Sequence, residues 1–168
     1  TLLRTNLPTV IQALGRAFVS IEDETIQEYL GSLSFSLDEV LRLSNDPNAP
    51  EYIANKILTL TNFSYLSTHK GVHVVARFLG IEKPWEAISQ HLNRDRKELM
   101  TVLNNTVRRR NDIVHRADRS QEDPDGMQQE ITYAWAKQSV NTVEHICLAL
   151  DEIVQVKMNE LQAVINAR

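Results

Sequence analysis

Apolar residues recur three and four positions apart along most of this chain and do not alternate, so the elements they predict are helices. Leu7, Ile11, Leu14 and Phe18 mark a first helix reaching about Val19, with Asn6 able to cap it and Pro8 tolerated in its first turn. Ser20 and Asp23 have capping-box spacing ahead of a second helix that carries Ile26, Leu30, Leu33 and Leu37 inward. Gly31 and the serines at Ser32, Ser34 and Ser36 weaken its middle, and Ser36 with Glu39 offers a restart. Residues 45–50 hold two prolines among small polar residues and read as a loop. Ile53, Ile57, Leu60 and Phe63 mark a third helix, which Gly71 ends or kinks. A short helix over 72–79 is closed by Gly80, and Lys83-Pro84 starts a segment with Ile88 and Leu92 inside. Asn93 is then a cap for the helix that carries Leu99, Val102, Leu103 and Val107. Residues 118–126 form a turn-rich loop around Asp123-Pro124-Asp125-Gly126. Beyond it, Ile131, Trp135, Val143, Ile146, Leu150, Ile153 or Val154, Leu161 and Ile165 continue as one helix of roughly 35 residues. The expected architecture is an all-α bundle of about six helices with a long C-terminal helix.

Composition agrees and narrows the classes. The chain of 168 residues, 42% hydrophobic, is long enough for one well-buried core and is read as a single domain, 1–168. Its first residue is Thr1, which reads as a piece cut from a longer polypeptide. The single cysteine, Cys147, cannot form an internal disulfide; it falls on an apolar stripe, as a small buried hydrophobe would, and points to a reducing, cytoplasmic setting. No apolar run approaches the ~18 residues of a membrane-spanning helix.

Charge brings one stretch forward. The chain is −4 overall, too acidic for a general nucleic-acid-coating protein, yet 94–119 holds eight Lys/Arg against four acids. An acidic body with one basic strip suits a protein that meets a polyanion at a single place, although charged helix surfaces are also ordinary. The strip ends in RRRNDIVHRADR, which sets an imidazole able to move protons near neutral pH beside guanidinium groups shaped to grip phosphate. Of the five histidines, only His115 has an arginine five, six or seven residues before it, and it has one at all three positions.

Arg110-Asn111-Asp112-Ile113-Val114-His115 resembles the R-x(4–6)-H motif of the HEPN superfamily, in which a polar residue such as Asn follows the arginine. In wording, RNDIVHRAD is most similar to the prokaryotic RiboL-PSP type of HEPN domain. The resemblance implies an all-α HEPN-like fold, a homodimer, and metal-independent, cofactor-free cleavage of RNA in a toxin or antiviral-defence setting. There a neutralising partner or a fused sensor domain can accompany the nuclease. It assigns catalysis to Arg110 and His115, with Asn111 positioning the arginine or the phosphate. Arg108, Arg109 and Arg116 are then phosphate contacts, and Asp112 orients a basic side chain within that set; for Asn111 and Asp112, plain surface polarity is the competing reading.

Geometry leaves the arginine open. On a straight helix Arg110 and His115 stand ~140° apart, whereas Arg108, Asn111, Asp112 and His115 share a face. Either the backbone changes course near Asp112 to Val114, or two protomers contribute to one site. The competing function class is a catalytically silent helical dimerisation or RNA-binding module of a larger defence protein. Other chemistry has little support: His69 and His73 have ligand spacing, but Gly71 lies between them and no third donor is placed beside them. There is no Walker lysine loop and no dinucleotide glycine pattern. Trp85 and Trp135 are base-stacking candidates, or core.

Overall fold

A computed structural model describes residues 2–60, 67–116 and 130–167. Among these the chain is all-helical, with nine helices and no strand. They are α1 (Leu2–Leu14), α2 (Arg16–Val19), α3 (Glu24–Gly31), α4 (Leu37–Leu43), α5 (Ala49–Leu60), α6 (His69–Phe78), α7 (Pro84–Leu92), α8 (Arg96–Arg116) and α9 (Tyr133–Asn166). Phe63, the side chain of Leu60 and the expected loop over 118–126 lie outside the described residues.

The all-α bundle with its long last helix is as the periodicity predicts, and the larger number of helices has local causes. The first expected helix breaks at Gly15, whose φ of 53° with ψ of −120° lies outside the left-handed helical region and is open only to glycine without strain, so α2 is a separate turn. The second breaks where the Ser32 hydroxyl donates to the Tyr29 carbonyl at 2.7 Å and restarts at Ser36, which forms a full capping box with Glu39. Several expected roles move. Asn6 does not cap α1, which begins at Leu2 and holds Pro8 inside it; the Asn6 amide instead donates to the Leu2 carbonyl at 2.9 Å. Asp23 is itself the N-cap of α3, accepting from Ile26 N–H at 3.1 Å. The loop over 45–50 is shorter than expected, because α5 takes Pro50 into its first turn, where a missing N–H costs nothing. Gly71 neither ends nor kinks a helix: it lies in the first turn of α6, its N–H held by the Thr68 hydroxyl at 3.1 Å. Asn93 closes α7 in the left-handed region (φ 49°, ψ 47°), and Asp95 caps α8 by accepting from Glu98 N–H at 2.8 Å.

α9 runs 34 residues and serves two cores. Its C-terminal half contributes Val154, Met158 and Leu161 to a cluster with α1, α3, α5 and α6, in which Leu7, Val10, Ile26 and Phe78 are fully buried. Its N-terminal half places Ile146 and Ala149 against Trp85 and Ile88 of α7 and Leu99 and Leu103 of α8. Leu150 and Ile153 touch both clusters. Ile131 and Cys147 are exposed, against the expectation that both lie on the inward stripe. The buried line through Ser139, Thr142, Ile146 and Ala149 runs along the neighbouring face of the helix.

α4 is mounted inside out. Leu37, expected to face inward, is 75% exposed, because the helix is held by its polar side: the Glu39 carboxylate accepts from Lys56 at 2.8 Å and from the Tyr52 hydroxyl. Arg42 lies over the Tyr52 ring at 5.2 Å. The Lys56 and Tyr52 bonds, with the Ser36 N–H, pull Glu39 down to about 2, and the same bond raises Tyr52 above its ordinary value. A second polar knot joins α3 to α6, where Asp23 also meets His73 Nε2 at 2.9 Å and Arg77 Nε at 3.2 Å.

Candidate nucleic-acid interface

α8 carries the motif and is continuous from Arg96 to Arg116. Its N-terminal half is fixed from two sides. Leu99 and Leu103 enter the second core, and the Asn104 amide lies within 3.0 Å of His69 Nδ1 while its Oδ1 accepts from His69 N–H at 3.3 Å. Trp85 Nε1–H donates to the His69 carbonyl at 2.9 Å, which ties α7 into the same contact. The helix therefore projects its C-terminal turns, where the basic residues lie, from an anchored base.

Of the two geometries left open by spacing, a change of course between Asp112 and Val114 is excluded, since those residues are regular helix. Arg110 and His115 of one chain thus diverge by ~140° and do not converge on one reacting atom. Both are exposed. Arg110 Nη1 donates to Asn111 Oδ1 at 3.0 Å, a solvent-exposed bond between neighbours in sequence. Arg108 is exposed, and the side chain of Arg116 lies outside the described residues. Asp112 is only 7% exposed. Its carboxylate is turned into the protein, where it can orient a neighbour but cannot present itself to a phosphate. The face predicted to unite Arg108, Asn111, Asp112 and His115 is thus divided between exposed ends and a buried acid.

The other histidines have company. His69 is engaged by Asn104, His73 by Asp23, and His91 Nε2 lies 3.2 Å from Glu152; His145 is exposed on α9. His115 stands exposed at the end of α8 with no hydrogen bond or ion pair among the described residues, as a group must that is to meet substrate. Ile113 and Val114, between it and Arg110, are exposed apolar side chains.

Arg109 turns the other way. Its guanidinium carbon lies 5.9 Å from the centre of the Trp135 ring, at the start of α9. Sequence reasoning raised Trp135 as a stacking candidate and Arg109 as a phosphate ligand but did not pair them. The available signal was spacing: Trp135 lies four residues before Ser139 and seven before Thr142, on the line that α9 buries. Trp85, the other candidate, is core.

No protein-family model, curated protein or solved structure matches this chain. Among the described residues, no group of three or more His, Cys, Asp and Glu side chains is placed to hold a metal ion. None of the described helices is long and apolar enough to cross a membrane.

Proposed function

We propose that this chain is a HEPN-type endoribonuclease domain, working in the cytoplasm in a toxin or antiviral-defence role, that cleaves RNA without a metal and closes its site by homodimerisation. The observation that carries the reading is the pairing of an exposed His115, unengaged among the described residues, with an exposed Arg110 bonded to Asn111, on a helix too straight to bring them together within one chain. A two-fold axis near Ile113 and Val114 would bury those side chains and set Arg110 of one protomer against His115 of the partner subunit.

In such a cleft His115 takes the proton of the ribose 2′-hydroxyl, whose oxygen attacks the adjacent phosphorus. Arg110 stabilises the charge that gathers on the phosphoryl oxygens. The bond to the 5′ oxygen breaks, and His115 or an arginine of the second protomer assists its departure, leaving a 2′,3′-cyclic phosphate and a 5′-hydroxyl. The exposed Arg108 holds a flanking phosphate, so binding weakens as salt rises, whereas Arg109 is turned to Trp135.

The test is His115→Ala, assayed beside the parent on RNA with EDTA present. The expected loss is about 10²- to 10⁴-fold in rate, the usual worth of a general acid-base group, with an unchanged circular dichroism spectrum. A folded variant that cleaves at the parental rate would remove the catalytic assignment. A parent that is folded, dimeric and inactive on every RNA would support the silent RNA-binding or dimerisation module instead.

A further inference from the structure

Helix α4 contributes no buried side chain to either core, although four of its seven residues are apolar. A helix this short is unstable by itself. It is held from one side by polar chemistry: the Ser36 capping box, the acids of its first turn, and the bonds that Glu39 accepts from Lys56 and Tyr52. Leu37, Val40 and Leu41 fall within an arc of about 100° on the side away from Glu39 and are 75%, 51% and 64% exposed. Single exposed apolar residues are ordinary, but these three form one patch of roughly 300 Å², the size at which a patch on a monomer is often functional. A helix fixed by its polar side with its apolar side outward is set out to meet another surface.

Charge selects the occupant. Residues 20–60 hold eight acids against two bases, so RNA and anionic lipid are repelled here. On α4 itself, Asp38 and Arg42 are exposed on one flank, about 40° apart and one turn along the axis from each other. They stand equally far from Val40 on either side. When two copies of α4 cross antiparallel about a two-fold axis at Val40, each acid therefore lies opposite the other copy's arginine. Asp38 has no ion pair among the described residues, and the Arg42 guanidinium rests 5.2 Å from the Tyr52 ring centre, a contact that an exposed arginine gives up at small cost. Repulsion between the two acidic bodies is screened beyond about 8 Å at physiological salt, so the local pairs decide. We propose that α4 is a self-association surface, pairing antiparallel with α4 of a second copy, Asp38 against Arg42 of the partner subunit and Leu37, Val40 and Leu41 in the seam. Roughly 300 Å² a side is well below the ~800 Å² of a standard interface, so this contact is weak alone and gains stability by adding to another. With the two-fold contact at α8, each protomer has two partners, and dimers join into tetramers or chains. The pairing needs no catalysis and stands whether or not the chain cuts RNA.

The experiment is sedimentation velocity of the full chain over a concentration series reaching its solubility limit. Leu41→Asp should weaken one association step by at least about tenfold with an unchanged circular dichroism spectrum, because both copies of the side chain leave the seam together. Asp38→Arg and Arg42→Asp should each weaken the same step by about three- to tenfold, since each sets like charges across the two-fold axis. Mixing these two single variants should recover the step, because every crossing pair in the mixed dimer is then an arginine against an aspartate. The double variant should recover it for the same reason. A parent that shows no association step sensitive to Leu41→Asp would overturn the docking surface. Single charge variants that associate as the parent does, or that fail to recover on mixing, would overturn the antiparallel pairing.

Discussion

Replacing Asp23 tests whether α3 and α6 are held as the structure indicates. Its carboxylate caps α3 through Ile26 N–H at 3.1 Å, and it meets His73 at 2.9 Å and Arg77 at 3.2 Å. The Arg77 side chain is 12% exposed and that of Asp23 14%, so this pair is shielded from solvent, whereas His73 is more open. Asp23→Ala removes a helix cap worth about 1 kcal/mol. It also removes a charge-assisted bond to Arg77 worth about 1.5–3 kcal/mol, and Arg77 keeps only its second bond, to the Glu82 carbonyl at 3.1 Å. The expected loss is roughly 3 kcal/mol, which for a domain of this size lowers the melting temperature by about 6–12 °C. Asp23→Asn keeps an acceptor for the cap and loses the charge, so it should fall between the variant and the parent. Burial pushes the Asp23 carboxyl upward, but the His73 bond, the Ile26 N–H and the charges of His73 and Arg77 outweigh it and leave it below its ordinary value. The stabilisation is therefore present above the unfolded carboxyl's pKa of ~3.9 and is lost as pH falls below it, so parent and variant should converge in acid. Urea unfolding followed by circular dichroism at pH 7 and in acid measures both effects. A pH 7 difference below about 1 kcal/mol, or one that does not shrink in acid, would refute the proposed network.

Three further outcomes are expected. Mixing Arg110→Ala with His115→Ala protein should restore about a quarter of parental cleavage, because half the dimers are mixed and one of their two sites is intact; no recovery in an assay of the premixed pair would exclude a site shared between protomers. Glu39→Gln should bring Tyr52 back toward its ordinary ionisation range in an ultraviolet titration; in the parent, the tie between α4 and α5 is present above pH 4.5 and is lost as pH falls toward about 2, which amide exchange in 37–43 should report. Thr106→Val should be neutral or stabilising by up to about 1 kcal/mol in thermal unfolding, since the Thr106 hydroxyl is buried without a hydrogen-bond partner among the described residues and the methyl that replaces it has nothing to satisfy.

Features set by short-range chemistry were legible in the sequence. Ser36 and Glu39 stand at capping-box spacing, Pro84 opens α7 where a missing N–H is harmless, and the apolar period of α9 gave its length to within a turn. Features set by partners distant in sequence were not. Leu37 has a core residue's spacing but faces water, because Glu39 is drawn to Tyr52 and Lys56. Cys147 sits on an apolar stripe adjacent to the one that is buried. Asn93 has a side chain suited to starting a helix and a backbone suited to ending one, and Asp95 two residues later takes the cap. At the candidate site, the residue types and their order were visible, while the burial of Asp112 was not, and the placement of Arg109 on Trp135 comes from the packing of α8 against α9.

A helix that belongs to two cores cannot open as one unit. Around 154–161 an amide of α9 exchanges with solvent only if the cluster built on α1, α5 and α6 comes apart, whereas at 133–140 it is released when the α8 contact loosens. One continuous rod about 50 Å long should therefore show slow exchange at its C-terminal half and fast exchange toward Tyr133. The end that opens first is the end that carries Trp135 beside the motif. Those two helix ends can separate locally while the far half of α9 keeps the domain folded.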